Sequence, residues 1–305
     1  MSTGEACGKI ILFNEHFVLY GIPAIACAIN TGITAKIQRN PFLNLINKIN
    51  PINNAPQIIK QQIESIKKIF QAMPIPLDSN LEITLEGNLI PASGIGSSAA
   101  SCISITRAIS NHYNLKLTQH QINSIGLEGE KIFHGNPSGI DNTVATYGKP
   151  IWFIKNKTLS IETINLKNPI RIVIGYSGIT ASTKDAVKKV KETIEKNLNF
   201  YTSTFSTANK IAYDAKTALG NFDLIRIGKL MNQNHTLLQE LGVSCPQIDH
   251  LVEIAKNHGA LGAKITGGGL GGCMIALTPQ KKLQEHVSRA IENSGFKTIK
   301  TEIKQ

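Results

Sequence analysis

The segment PASGIGSSAA, Pro91–Ala100, places Gly94 and Gly96 just ahead of two serines and a run of small residues. A glycine-rich turn that opens a helix presents unpaired N–H groups and the positive end of the helix dipole, a setting suited to an anion such as phosphate. Ser97 or Ser98 can add a hydroxyl to a phosphate or to Mg2+. A plain glycine turn with a serine cap is the structural alternative. Two familiar phosphate loops do not match. A Walker A loop needs Lys after its last glycine, where this chain has Ser97. Gly94, Gly96 and Ala99 satisfy the dinucleotide pattern G-x-G-x-x-A, but no acidic residue for a ribose stands between Gly96 and Glu128.

Three further segments hold groups able to do chemistry. KITGGGLGGC, Lys264–Cys273, fits G-x-G-x-x-G through Gly267, Gly269 and Gly272, yet it runs into MIAL, which reads as a strand and not as the helix of a dinucleotide site. It is either a glycine hairpin whose backbone approaches a ligand or another loop, or a tight hairpin with no ligand. EGEKIFHGNPSGIDN, Glu128–Asn142, sets Glu130 late on a helix and Asp141 beyond a Gly/Pro turn. Carboxylates so placed can divide labour, one on a metal and one on a reacting hydroxyl. Glu130 also reads as a solvated surface acid, whereas Asp141, between Ile140 and strand-like residues, sits at the mouth of a core. In GKIILFNEHFVLYG, Gly8–Gly21, Lys9 directly precedes a buried-looking strand and Glu15 and His16 end it. Charge there serves a site or simple edge protection.

These groups need elements to hold them. Lys9–Leu12 and Ala24–Ile37 read as strands, the Asn-rich stretch Asn44–Asn54 as a loop, Gln57–Met73 as a helix and Leu81–Leu85 as a strand. Ala99, Cys102, Ile103, Thr106, Ile109 and Tyr113 share one helical face beginning after the PASGIG glycines. Thr118 caps a helix that HGNPSG stops. Val144–Tyr147, Pro150–Ile154 and Ile170–Gly175 read as extended. Helices follow at Thr183–Lys196, Thr204–Leu219, Phe222–Leu241 and Cys245–His258, the last with Ser244 as cap and Pro246 in its first turn. The chain then reads strand, helix, strand over Lys264–Leu277, Lys281–Asn293 and Phe296–Ile303.

At 305 residues the chain makes about two domains, with a boundary expected in the polar connection before Ile170, giving 1–167 and 168–305. With 42% hydrophobic and 17% charged residues it can build a core and is not a disordered chain. Its longest apolar-leaning stretch, Phe17–Ile29, is interrupted by Gly21 and Pro23, so no membrane span is expected, and no signal peptide order is present. Five scattered cysteines without a Cys-x-x-Cys pair suit a reducing cytoplasm. The formal charge of +11 favours acidic ligands, and since the cations are mostly scattered lysines, small phosphorylated molecules are expected rather than nucleic acid.

Taken together and in this order, the four segments resemble those of the GHMP kinases. Lys9–His16 is similar to that family's N-terminal signature, Pro91–Ala100 to its ATP loop, Gly129–Asn142 to its GE and HGNPSG-x-DN motif, and Lys264–Cys273 to its C-terminal glycine motif. MNQNHTLLQELGVS, Met231–Ser244, resembles the helix and loop before that last motif. Asn14 stands where the family usually has Gly, Gly268 and Leu270 alter the common TGAGGGGC string, and Ala181 falls where many members place a basic residue. The resemblance implies an α+β, two-lobed fold: an N-terminal mixed α/β domain and a C-terminal ferredoxin-like domain with the active site between them. It implies a cytoplasmic enzyme of isoprenoid precursor biosynthesis that transfers a phosphoryl group from MgATP to the primary 5-hydroxyl of mevalonate. Phosphomevalonate or homoserine would be the acceptor in the nearest alternatives. Asp141 would act on the acceptor hydroxyl, with Lys9 offsetting charge. Lys9, Glu15, His16, Asp141 and Thr183 would bind the acceptor, and Ser98 and Glu130 would hold Mg2+. Pro91, Ser93, Gly94, Ile95, Gly96, Ser97, Ser98, Ala99, Gly267, Gly268 and Gly269 would cradle ATP. Neither nucleic acid nor a membrane is an implied partner, and oligomeric state stays open, a homodimer included.

Overall fold

The computed structural model describes residues 1–49, 56–78, 80–91, 93–135, 137–155, 159–180, 183–196 and 198–304. Residues 50–54 of the Asn-rich stretch and Ala181 therefore lie outside the described residues. Contacts divide the chain into two compact units, and neither is one continuous stretch: residues 1–9, 29–91 and 96–148 form the first, and 10–28, 92–95 and 149–305 the second.

The first unit takes parts of two long strands, β1 (Ser2–Phe13) and β2 (Ala24–Arg39), which pair with one another. β3 (Asn44–Asn47), helix α1 (Pro56–Gln71) and β4 (Leu81–Gly87) follow. β4 pairs antiparallel with β2, Ile33 opposite Gly87, and parallel with β3, Asn44 opposite Glu82. The loop expected over Asn44–Asn47 is thus an edge strand. Its asparagines, poor strand formers, are held by side-chain bonds, Asn44 Nδ2 to Glu82 Oε2 at 3.1 Å and Asn47 Nδ2 to Gln62 Oε1 at 3.2 Å. Helices α2 (Ser97–His112), α3 (Gln119–His134) and α4 (Ile140–Tyr147) pack on one another, and α1 packs on α3. Thr118 closes a full capping box with Gln121 at the start of α3. The residues Val144–Tyr147, expected to be extended, are helical. Asn142 to Thr146 are all buried, so the helix has no polar face to set a 3.6-residue period, and its Val and Thr residues read as strand.

The second unit holds the remaining parts of β1 and β2, six further strands and the other helices. β5 (Ile151–Lys155) pairs with β2 at Ala24–Ala26 and with β6 (Leu159–Thr163). β6 has no counterpart in the hydropathy pattern because Ile161, Glu162 and Thr163 are all exposed. After β7 (Ile170–Tyr176) come α5 (Thr183–Lys196), α6 (Leu198–Asn221), α7 (Leu224–Glu240) and α8 (Pro246–Asn257). Then follow β8 (Gly262–Thr266), β9 (Cys273–Leu277), α9 (Lys281–Asn293) and β10 (Lys297–Ile303). The spatial order β10-β7-β9-β8 with every pairing antiparallel is the ferredoxin-like arrangement. The single strand expected over Lys264–Leu277 is two strands joined by the glycine loop. Ser244 does not cap α8: Cys245 is the N-cap, and the Ser244 hydroxyl donates to Asp249 at 2.5 Å.

Helix α7 crosses β8 with their backbones nearly touching. A Cβ on Gly228 would stand 2.3 Å from the Leu261 carbonyl oxygen, whereas one on Gly220 in α6 would meet nothing within 4 Å. Alanine normally stabilises a helix over glycine by about 1 kcal/mol. Gly220→Ala is therefore expected to raise the midpoint of thermal unfolding slightly, and Gly228→Ala to lower stability by about 1–3 kcal/mol through overpacking. Circular dichroism melts of both variants check this, and equal effects would mean the α7–β8 approach is not tight.

Candidate active site

In the first unit, β1 carries Lys9 inward: only 4% of the residue is exposed, and its Nζ lies 3.0 Å from Asp141 Oδ1. Asp141 belongs to the first turn of α4, which starts from Gly139 at φ 78, so its carboxylate also faces the positive end of a helix. Its side chain keeps 36% exposure, open to a reactant. Gly96, the left-handed N-cap of α2, closes on the same lysine, since a Cβ there would stand 3.1 Å from Lys9 Cβ. Serine caps were an alternative reading of this loop; α2 has no side-chain cap, which leaves its first N–H groups for a ligand.

In the first turn of α2, Ser98 Oγ donates to Glu130 Oε1 on α3 at 2.9 Å. His134, one turn after Glu130, places Nε2 at 3.2 Å from Ser98 Oγ and 3.3 Å from Glu130 Oε1. Glu130 is 2% exposed and so is no solvated surface acid. Burial first, and then the negative charge of Asp141, push its carboxyl up to about 7, against the Ser98 hydrogen bond and the Lys9 charge. Its Oε2 is buried with no hydrogen-bond partner. A buried carboxylate with an unsatisfied oxygen beside a serine hydroxyl suits a hard divalent cation that takes its other ligands from phosphate and water. No cluster of three or more His, Cys, Asp or Glu exists among the described residues.

In the second unit, β1 ends at Phe13 and is followed by Asn14, Glu15 and His16. The Glu15 carboxylate accepts a short hydrogen bond from Lys264 Nζ, and both side chains are at most 1% exposed. Lys264 also donates to its neighbour's carbonyl, Ile265, at 2.6 Å. Burial pulls the Lys264 pKa down while Glu15 opposes it. His16 Nε2 lies 2.8 Å from the Gly268 carbonyl oxygen, which can only accept, so the proton is on Nε2 and Nδ1 carries the lone pair. Burial lowers the His16 pKa to about 4, against that hydrogen bond, and Lys264 adds to the lowering.

Gly268 is also where Thr183, the first residue of α5, packs: a Cβ on Gly268 would stand 2.5 Å from Thr183 Oγ1. The Gly267–Gly272 loop meets the first half of the PASGIG loop backbone to backbone. A Cβ on Gly267 would lie 2.9 Å from the Gly94 carbonyl oxygen, and one on Gly272 would lie 2.8 Å from that of Ser93. Gly94, Gly267 and Gly269 take φ of 83, 84 and 81, where a side chain is strained.

The structure thus brings Lys9, Gly96, Ser98, Glu130 and Asp141 together in one unit, and Glu15, His16, Thr183, Gly94, Gly267 and Gly268 in the other. Gly269 instead faces Val243. Ile95 and Ala99 have fully buried side chains and can offer a ligand only backbone, Ser93 is buried, Pro91 half-buried, and the Ser97 carbonyl receives the Ser101 hydroxyl at 3.0 Å. Sequence reading passed over Lys264, though a lone lysine in an apolar strand was a signal, and His134, four residues after Glu130.

The model of the GHMP kinase N-terminal domain matches residues 57–149, and that of the GHMP kinase C-terminal region matches residues 215–297. The mevalonate kinase of Thermococcus gammatolerans is 35% identical over 98% of this chain and 95% of its own, and that of Pyrococcus furiosus is 34% identical over the same shares. The crystal structure of L. major mevalonate kinase in complex with R-mevalonate superposes with a TM-score of 0.93 at 30% identity, covering 100% of this chain and 96% of that one. With both family regions matched and relatives of that name aligned along nearly its whole length, this chain belongs to the GHMP kinase family and, within it, to the mevalonate kinases.

Proposed function

We propose that the chain transfers the γ-phosphoryl group of ATP to the primary 5-hydroxyl of mevalonate, giving 5-phosphomevalonate and ADP for isoprenoid precursor synthesis in the cytoplasm. The Lys9–Asp141 pair carries this reading: a carboxylate at a helix start, partly open, held 3.0 Å from a buried ammonium. Asp141 orients the 5-hydroxyl and takes its proton as the oxygen attacks phosphorus. The bond from phosphorus to the bridging β-phosphate oxygen breaks, and ADP leaves with that electron pair. Lys9 offsets the negative charge that builds on the transferred group. Positioning and charge stabilisation do most of the work in such a transfer.

The free N–H groups at the start of α2, with Gly94 to Ser97, cradle the phosphates, and the close-packed Gly267–Gly269 backbone supports them. Pro91, Ser93, Ile95 and Ala99 shape that loop. Ser98 and Glu130 are the residues that would hold Mg2+, which when bound neutralises phosphate charge. His16, its Nε2 proton committed to Gly268, offers Nδ1 as acceptor for an acceptor hydroxyl, and Thr183 supplies a hydroxyl beside it. Lys9 is the cation of the set, and Glu15 backs the same turn. The five cysteines are free thiols, in keeping with a reducing compartment. No described helix is long and apolar enough to cross a membrane. A functional division at 1–167 and 168–305 leaves one matched family region on each side.

Coupled ADP detection with mevalonate, phosphomevalonate and homoserine tests substrate and reaction together. Turnover is expected with mevalonate, and turnover with either of the others in its place would reassign the acceptor. Asp141→Asn keeps the shape and removes the base, so kcat should fall by about 100- to 10,000-fold with ATP affinity retained. A variant keeping more than about a tenth of kcat in single-turnover chemistry would remove Asp141 from this role. Glu130→Gln should raise the Mg2+ concentration for half-maximal activity by about tenfold or more, with partial rescue by excess Mg2+. An unchanged Mg2+ titration would make Glu130 a structural acid.

A further inference from the structure

The turn that ends β1 is fixed from a distance. Asn14 sits at φ 68, a left-handed conformation that asparagine tolerates better than most residues, and it immediately precedes Glu15 and His16. Asn14 and Asn234, the latter in the middle of α7, are both wholly buried. The two amides clasp one another. The Asn14 backbone N–H donates to Asn234 Oδ1 at 3.2 Å, and Asn234 Nδ2 donates to Asn14 Oδ1 at 2.9 Å. Asn14 Nδ2 spends its two protons on the carbonyls of Pro23, at 2.8 Å, and of Ala208 on α6, at 2.9 Å. The Asn14 carbonyl accepts from the Val18 N–H at 3.3 Å, just ahead of the short 3-10 turn Phe17–Tyr20 that His16 caps. Every polar group of Asn14 is thereby committed, and three separate stretches of chain converge on it.

Two side chains leave this turn with fixed directions. Glu15 runs to Lys264, and His16 runs to the carbonyl of Gly268. We propose that Asn14 and Asn234 are positioning residues for phosphoryl transfer, setting the turn so that His16 presents Nδ1 to the acceptor. This rests on the reading above that His16 belongs to the acceptor site. A fold needing only a left-handed residue here is met by glycine, which has no donors. The reciprocal amides add what glycine cannot, a registration of the turn against α6 and α7. Loss of either amide leaves buried donors or acceptors unpaired and frees the turn to shift, and misplacement of a reacting group by about 1 Å costs up to about a hundredfold in rate.

The test uses the full chain with Asn14→Gly, Asn234→Ala, the double variant and His16→Ala, each assayed below its own melting transition. Asn14→Gly keeps the left-handed turn and removes only the amide. The expected result is that each single clasp variant lowers kcat/KM for mevalonate by about tenfold to a hundredfold, with KM for ATP within about twofold of the parent. The double variant should be no worse than the weaker single one, as for two groups acting as one unit. Wild-type kcat/KM for mevalonate in folded Asn14→Gly and Asn234→Ala, with only the melting transition lowered, would overturn the proposal and leave the clasp a purely structural feature. If Asn234→Ala does not fold, Asn14→Gly decides. If neither folds, the clasp is a folding element and the proposal falls. His16→Ala separates the two readings: unchanged kcat/KM there would remove His16 from the acceptor site, whatever the clasp variants do.

Discussion

Taking an ammonium out of water costs roughly several kcal/mol, and at Lys9 that cost is set against an anion 3.0 Å away. Much of the first unit is arranged around this pairing. A long strand must carry Lys9 into the interior, and a helix must begin where Asp141 can meet it, which is why a left-handed Gly139 ends the HGNPSG turn. Gly96 must lack a side chain for α2 to start against the lysine. Glu130 feels the same pair: the Asp141 charge raises its pKa and the Lys9 charge lowers it. A buried ion pair adds little net stability compared with an apolar pair of the same shape, so its presence is better explained by chemistry than by folding.

The second unit solves a different problem with a similar device. Its glycine loop, Gly267–Gly272, gives up side chains so that backbone can lie on backbone at Gly94 and Ser93, and a loop without side chains has few contacts to hold it. Lys264 and His16 supply them. Lys264 anchors the end of β8 to Glu15, and His16 binds the loop at Gly268. Leu270 adds a backbone bond from its N–H to the Val243 carbonyl at 2.7 Å, at the price of a left-handed φ of 59.

Much of this was legible in the sequence, and the failures have identifiable causes. Amphipathic α1, the capping box of α3 and the alternating β4 announced themselves by period and cap chemistry. Helix α4 did not, because burial on all sides erases periodicity. Edge strands β3 and β6 did not, because an edge strand gains its pairing from a neighbour and not from its own hydropathy. Lys9, Ser98, Glu130 and Asp141 each stood in a recognisable local motif and so were candidates from the sequence, although the pairings Lys9–Asp141 and Ser98–Glu130 join separate segments. Lys264 and Asn234 act on residues more than 200 positions away. Pairings of that range are made by topology, and a single sequence does not reveal them. The same applies to the grouping of contacts, in which each compact unit takes part of β1 and part of β2.

The fold leaves the choice of acceptor to side chains. A carboxylate at position 15 would repel an acidic acceptor bound at the next residue. Lys264 cancels that charge inside the protein, where a pair is screened little by salt. Burial holds the His16 pKa near 4, so with its Nε2 proton on the Gly268 carbonyl it is a neutral group whose Nδ1 can accept a hydrogen bond. On the proposed function, neutral groups such as His16 would read the hydroxyls of the acceptor, and Lys9 would answer its charge. The formal charge of +11 spread over the chain draws anions toward it without specifying which one. Under the proposed function, discrimination between hydroxy acids would rest on where such neutral groups are held, which would make the rigidity of the turn after β1 as consequential as the identity of the residues it carries.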